Sequence, residues 1–271
     1  MTTVVRLLPA EEVLREFGKT ISYAEIKRVL PQYSYSEQKR ISEGVRKRQQ
    51  EFWEETTNYY VKVHPELPPI SKHFELLLGA INARRGQIIV DLGCGAGALI
   101  ERLLKQEVGI RIIGIDYVSE MAEQCRRKFG DNEWVTLNIS DITKGLSLAD
   151  GKIDTCVSNW GISYSDKEDL REVILPEIRR VLKPQGRFIC TAMITGGELA
   201  TLERFLDIIE AFRKRKAIGE AKRFAEKLEK FFPMYTVEEW EEMLVKSKFI
   251  IEKSFLSIYG TSLALVARPA V

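Results

Sequence analysis

Residues 88–104 read Ile-Ile-Val-Asp-Leu-Gly-Cys-Gly-Ala-Gly-Ala-Leu-Ile-Glu-Arg-Leu-Leu. An apolar run with two Ile residues has the pattern of a buried strand. An acid follows, then three alternating glycines, and a helical pattern starts at Ala98. Glycine suits a backbone that turns sharply or lies close to a ligand, because no Cβ stands in the way. The helix start leaves N–H groups for whatever occupies the turn. The stretch therefore predicts a strand, a tight turn and a helix, arranged as a loop for a nucleotide-type cofactor.

The segments after this loop repeat its pattern. Apolar runs at 111–116, 134–138, 154–159 and 187–194 predict four more strands, and helical stretches at 120–128 and 166–182 separate them. Ser119 is placed to cap the first of these helices and Gly130 to stop it. Pro176 either kinks the second or begins another helix, and Lys183-Pro184-Gln185-Gly186 is expected to be a turn. Strands alternating with helices imply right-handed crossovers and a parallel sheet covered on both faces. Two strand-like runs, 249–258 and 262–268, are separated only by Tyr259-Gly260-Thr261 and should pair antiparallel.

Residues 1–85 show no strand pattern. Ser22-x-x-Glu25, Ser34-x-x-Glu37 and, much later, Thr236-x-x-Glu239 have capping-box spacing. The first opens a helix ending at Leu30, the second a long helix through Trp53 towards Tyr60, and the third a helix reaching about Lys246. Prolines at 65, 68 and 69 interrupt the helical pattern before a helix at 70–83. The expected organisation is a helical N-terminal extension, 1–69, and an α/β domain, 70–271. The domain carries a charged helical insertion at 196–232.

Composition sets limits on function. A net charge of +2 over 271 residues does not suggest a nucleic-acid coat or a membrane surface. No apolar run approaches the roughly 20 residues that span a bilayer. Cys94, Cys125, Cys156 and Cys190 contain no C-x-x-C pair. They read as reduced, partly buried thiols in a cytoplasmic protein rather than a disulfide frame or a zinc site.

Gly93-x-Gly95-x-x-Ala98 satisfies a general dinucleotide fingerprint, which alone says little. Two acids narrow it. Asp91, just before the first glycine, would repel a pyrophosphate but suits a positively charged cofactor. Asp116, at the end of the second strand, can accept hydrogen bonds from both hydroxyls of a ribose. Together they describe a cationic adenosine compound and argue against a nicotinamide dinucleotide.

Five segments resemble motifs of the class I S-adenosylmethionine-dependent methyltransferases, in the same order and spacing. Val90-Asp91-Leu92-Gly93-Cys94-Gly95-Ala96-Gly97 resembles the first motif, and Gly114-Ile115-Asp116-Tyr117-Val118-Ser119-Glu120-Met121 the ribose-binding one. Asn138-Ile139-Ser140-Asp141 is similar to the adenine segment, and 153–159 to the strand beneath the methyl group. Residues 177–188 resemble the turn before the fifth strand, with Gln185 in place of the usual second glycine. The resemblance covers about 70–268. It implies a seven-stranded, mostly parallel, doubly wound sheet closed by an antiparallel hairpin, with S-adenosylmethionine as cofactor and no resident metal.

The resemblance also implies residue roles. Gly93, Cys94, Gly95 and Gly97 lie under the methionyl part, with Asp91 near its ammonium. Asp116, Tyr117 and Met121 belong to the ribose side, and Ser140, Asp141 and Ile142 to the adenine side. Asn159 and Trp160 border the sulfonium. A helical extension in such enzymes often covers the cofactor, which makes Trp53, Tyr59 and Tyr60 candidates. Of two histidines, His64 beside the prolines is the candidate base, while His73 is expected on a helix surface. Tyr164 is a pocket candidate. The acceptor expected is a small molecule or metabolite, and the oligomeric state stays open, a homodimer included. Alternatives are an RNA or protein methyltransferase using the basic stretches 39–48 and 213–223, or a cofactor-binding regulator. Against the first, Ser158-Asn159-Trp160-Gly161 lacks the N/D-P-P-Y/F pattern of adenine amino-methylating enzymes.

Overall fold

The computed structural model describes residues 8–62, 68–106, 108–195, 227–228 and 230–270. His64 and most of the expected insertion, 196–226, lie outside the described residues. So do the side chains of Tyr59 and Tyr60, although both sit on a described helix.

Seven strands form one sheet. β1 is Ile88–Leu92, β2 Arg111–Asp116, β3 Val135–Ile139, β4 Ile153–Asn159, β5 Leu182–Met193, β6 Phe249–Ser257 and β7 Ser262–Pro269. Their order is β3-β2-β1-β4-β5-β7-β6. β1 pairs in parallel with β2 and β4, and the two last strands are antiparallel. Placing β1 and β4 side by side creates the switch point where chains leave in opposite directions. Ligands bind outside the carboxyl ends of strands at such a point. The expected sheet and hairpin are both present.

Differences from the expected elements have local causes. β5 begins at Leu182, and the expected turn at Lys183–Gly186 is an irregularity inside it: a Cβ on Gly186 would lie 3.0 Å from the Lys183 carbonyl oxygen. The β4–β5 register slips between Ile153↔Leu182 and Thr155↔Arg187 to absorb these residues. Gly186 permits this, since a Cβ there would stand 3.0 Å from the Ile153 carbonyl oxygen. Of the two expectations for Pro176, the start of another helix is the one present. A π-turn at Leu170–Ile174 leads without a loop into the α-helix Leu175–Val181, with Pro176 in its first turn. That position tolerates the missing N–H. Ser119 is not a cap: the helix Ser119–Phe129 is capped at Val118, with no side-chain bond. Asp116 accepts the Val118 N–H instead, at 2.8 Å.

Among the described residues, four α-helices precede β1. α1 is Ala10–Glu16, α2 Tyr23–Val29, α3 Tyr35–Lys62 and α4 Pro68–Ile81. The capping boxes at Ser22 and Thr236 are complete, and Ser34 and Glu37 exchange the same bonds. α1, α2 and the start of α3 bury Val13, Phe17, Ile26, Ile41 and Val45 in a cluster of their own. Further along α3, Phe52 and Trp53 pack with Val118, Met121, Leu228 and Phe232. Lys27 pairs with Asp166 and Glu168, and Arg46 with Asp169. These contacts set the N-terminal helices over the carboxyl ends of the strands. Among the described residues, no helix is long and apolar enough to cross a membrane.

The helix Val237–Lys246 buries Trp240, Met243 and Leu244 against the sheet. Removing its capping hydroxyl in Thr236→Ala should cost about 1 kcal/mol. The expected fall in melting temperature is about 2–4 °C by calorimetry.

Candidate active site

The glycine turn hangs from β2. Gly93 and Cys94 both donate backbone N–H bonds to the Ile115 carbonyl, at 2.8 and 3.1 Å. Gly93, Gly95 and Gly97 all have positive φ, between 53° and 82°. Space matters as well as φ. A Cβ on Gly93 would lie 2.5 Å from the Gly161 Cα, and one on Gly161 2.2 Å from the Leu92 carbonyl oxygen. The turns after β1 and β4 therefore touch backbone to backbone. Ser158 fastens them, donating to the Leu92 carbonyl at 2.9 Å and accepting from the Ile162 N–H at 2.9 Å.

Beyond the strand ends lies a cavity of about 750 Å3, within the size range of small-ligand sites. Gly93, Gly95, Asp116, Tyr117 and Met121 line one end of it. Ser140, Asp141 and Ile142 add the segment after β3, and Asn159, Trp160 and Tyr164 the segment after β4. Residues of α2 and α3, Trp53 and Arg46 among them, supply the opposite wall. Asp91, Cys94 and Gly97 stand behind this surface: Asp91 and Cys94 are buried, and a Cβ on Gly97 would meet Phe129 at 2.5 Å.

The acids divide by environment. Asp116 accepts N–H bonds from Gly95 and Val118, both 2.8 Å, which oppose the upward push that burial gives its pKa. A carboxylate has about four acceptor sites, so capacity remains for a ribose. Asp91 is different. Neither of its oxygens has a hydrogen-bond partner among the described residues. Burial first, and the nearby Asp116 second, push its pKa up to about 8. A buried, unpartnered carboxyl behind a glycine turn is a site for a cationic ligand group. Asp141 accepts from the Thr143 N–H and hydroxyl at 2.9 and 2.7 Å, fixing the turn after β3. These residues fit S-adenosylmethionine: an unpaired acid for an ammonium, a second for a ribose, and a third beside it at the end of the neighbouring strand.

Cys94 is not a reactive thiol. A hydrogen bond with Cys125 and burial push it well above the ordinary thiol range. Aromatic rings close one side of the cavity, with Tyr164 centred 5.1 Å from Trp53 and 5.2 Å from Phe232.

His73 overturns an expectation. It is not on a helix surface but 2% exposed, stacked on the Trp160 indole at 4.4 Å and bonded to Asn159 and Ser257. The sequence held the signal. Ile70, His73, Phe74, Leu77 and Ile81 recur at helical spacing on one buried face of α4. Asp166, also missed, stands at the cavity wall 3.6 Å from Lys27. Burial and the neighbouring Glu168 and Asp169 raise its pKa to about 7. Gly161 was missed because its role is a contact across the sheet.

A doubly wound sheet with a glycine turn at its switch point defines a nucleotide-cofactor α/β protein. Comparison with known proteins narrows the class. Residues 90–190 match the methyltransferase domain family. The ubiquinone/menaquinone biosynthesis C-methyltransferase UbiE of Caulobacter sp. is 34% identical over 119 residues, 41% of this chain and 45% of its own length. A putative methyltransferase of Haloferax volcanii, solved in complex with the methyltransferase activator Trm112, superposes with a TM-score of 0.62. It is 17% identical, and the alignment covers 82% of this chain and 97% of that one. Geranyl diphosphate C-methyltransferase of Streptomyces coelicolor, solved with S-adenosyl-L-homocysteine, gives 0.53 at 14% identity, covering 74% and 77%. The chain spans between 26% and 55% of the length of several curated relatives. Residues 90–190 thus match a methyltransferase domain, and the chain shares the fold of solved methyltransferases.

Two variants probe this site. Gly161→Ala forces two backbones apart and should destabilise the fold by about 2–3 kcal/mol in denaturant titration. For Asp91 the folded pKa lies above the ordinary value of about 3.9, so the unfolded chain loses its proton first as pH rises. The group thus costs stability progressively from about pH 4 to pH 8. Asp91→Asn should be more stable than the parent by a few kcal/mol above pH 8 and equal to it below pH 4. It should also lose the thermal shift that the cofactor gives the parent.

Proposed function

We propose that the chain is a methyltransferase that moves the methyl group of S-adenosylmethionine to a small-molecule acceptor. The observation that carries this reading is the walled cavity. α2 and α3 stand across a half-open cavity of about 750 Å3 from the strand ends, so an acceptor sits between walls rather than on a flat surface. Three of the five cations in the basic stretch 39–48 support it further. Arg40 pairs with Glu11, Arg46 with Asp169 and Arg48 with Glu51. They tie the chain to itself instead of presenting a free row to phosphates. The other basic stretch, 213–223, lies outside the described residues.

When bound, the cofactor supplies a methyl group already activated by a sulfonium. The residues therefore act by binding, alignment and exclusion of water. Asp116 holds the ribose and Asp91 balances the ammonium, while Asp141 marks the adenine end. The Gly93–Gly97 turn keeps side chains away from the methionyl part. Trp53, Tyr164 and Phe232 form an apolar wall on the acceptor side. Tyr60 and His64 remain candidates for the roof and for a base. Asp166, near neutral in its titration, is the described cavity acid best matched to accept an acceptor's proton.

Equilibrium binding of S-adenosylmethionine and radiolabelled transfer to a metabolite extract test this. Asp116→Ala should weaken cofactor binding about thirtyfold, equivalent to about 2 kcal/mol. Failure of the parent to bind the cofactor overturns the reading. Label transferred to RNA or protein in place of small molecules, with binding that falls steeply in salt, overturns the acceptor class.

A further inference from the structure

Beneath the cavity floor lies a set of uncharged polar groups that cofactor binding, as described, does not use. Asn159 ends β4 and lines the cavity. Its carbonyl oxygen, Oδ1, accepts from the Thr191 hydroxyl at 2.8 Å and lies 2.7 Å from the His73 Nε2. Thr191 in turn accepts from the Trp160 N–H at 3.1 Å. The Trp160 indole donates to Ser262 at 2.9 Å, and the His73 ring lies parallel to it within 15°. Trp160 is held at φ 61°, which a bulky residue adopts only when its surroundings enforce it.

These bonds fix a direction. An amide oxygen only accepts, so the His73 Nε2 facing Asn159 is the protonated nitrogen. Nδ1, 2.8 Å from the Ser257 hydroxyl, is then the acceptor, and the hydroxyl's proton goes to the ring rather than to the Ser262 carbonyl, which is farther away at 3.4 Å. With its oxygen held from below by two donors, Asn159 has its NH2 group left over. Among the described residues that group has no protein partner, and it is not among the buried unsatisfied atoms, so it faces accessible space in the cavity. An NH2 group donates. It suits an oxygen and does not suit a sulfonium or an ammonium.

We propose that His73 is a positioning residue: it engages the Asn159 carbonyl oxygen so that the amide nitrogen faces the cavity, where it donates to a ligand oxygen. The inference rests on the methyltransferase reading for the identity of the ligand. The oxygen belongs either to the carboxylate of the cofactor or to an acceptor bearing an oxygen, as in a phenol or a carboxylic acid. An amine as the acceptor would need the opposite amide orientation. The groups on the ring from β4 and the β6–β7 end are Asn159, Trp160 and Ser257, backed by Thr191 and Ser262, all uncharged. On α4 itself, Lys72 and Glu75 are exposed and pair with each other. Burial lowers the His73 pKa, which keeps the ring neutral.

The chain has two histidines, so nitrogen-15 NMR of the whole protein with one variant assigns them. The expected spectrum is a neutral ring protonated at Nε2 that does not titrate near the ordinary value of about 6.5. A ring protonated at Nδ1, or one titrating at that value, overturns the proposal. This measurement needs no cofactor, so it stands apart from the methyltransferase reading, which falls if the parent does not bind S-adenosylmethionine.

Binding and turnover then locate the oxygen. H73F keeps a ring on Trp160 but removes both hydrogen bonds, whereas H73Q restores an N–H donor. If the oxygen is the cofactor's, H73F weakens S-adenosylmethionine about tenfold and leaves its decarboxylated analogue unchanged, and H73Q recovers most of the loss. If it is the acceptor's, cofactor affinity holds. Turnover on a panel of phenols and carboxylic acids then falls about tenfold in H73F and recovers in H73Q. Either pattern supports the proposal. Methylation of primary amines alone, or an H73F protein equal to the parent in both assays, overturns it.

Discussion

Contact between two backbones, at Gly93 and Gly161, governs the architecture of the site. β1 and β4 run side by side, and their turns leave the sheet with no side chain between them. That contact brings the Gly93–Gly97 turn and the Asn159–Trp160 segment to one cavity, although they are more than sixty residues apart in the sequence. Ser158 reinforces it from below by bonding to the Leu92 carbonyl. A single methyl group at either glycine would need space that backbone atoms already occupy. The sheet supplies the parallel strands, but this approach turns two strand ends into one site.

Charge and polarity are layered around the contact. Asp91 is held in the interior without a partner, whereas Asp116 is satisfied by backbone donors at the cavity surface. Below Asn159 the groups are neutral and bonded to one another. The free protein therefore carries an unfavourable burial at Asp91, matched to the ammonium that the cofactor would bring. An unsatisfied buried carboxyl costs stability. Its position behind the glycine turn gives that cost a use.

Most of the sheet was legible in the sequence because its signals are local. Strand runs, capping boxes and the glycine turn each occupy a few consecutive residues, and the structure keeps them. The boundaries that moved did so where tertiary contacts overrode local chemistry. β5 reaches back to Leu182 because Ile153 pairs with it beyond the irregular residues 183–186, and a π-turn at Leu170–Ile174 precedes the helix that holds Pro176. The cofactor-type residues were legible for the same reason, since Asp91, Asp116 and Asp141 sit at strand ends within recognisable patterns. His73 and Gly161 were not. Their significance lies in what they touch across α4, β4 and the closing hairpin, and histidine's polarity concealed that His73 sits on an otherwise apolar helical face.

α3 runs for 28 residues, about 42 Å at 1.5 Å per residue. One end belongs to the N-terminal cluster through Ile41 and Val45, and the middle reaches the cavity through Phe52 and Trp53. A rod of that length does not open by unravelling a short loop. A displacement of such a rod at Trp53 would be felt at Ile41 and at the Arg46–Asp169 ion pair, all on the one helix. Packing in the N-terminal cluster and the shape of the cavity wall are therefore properties of one rigid element.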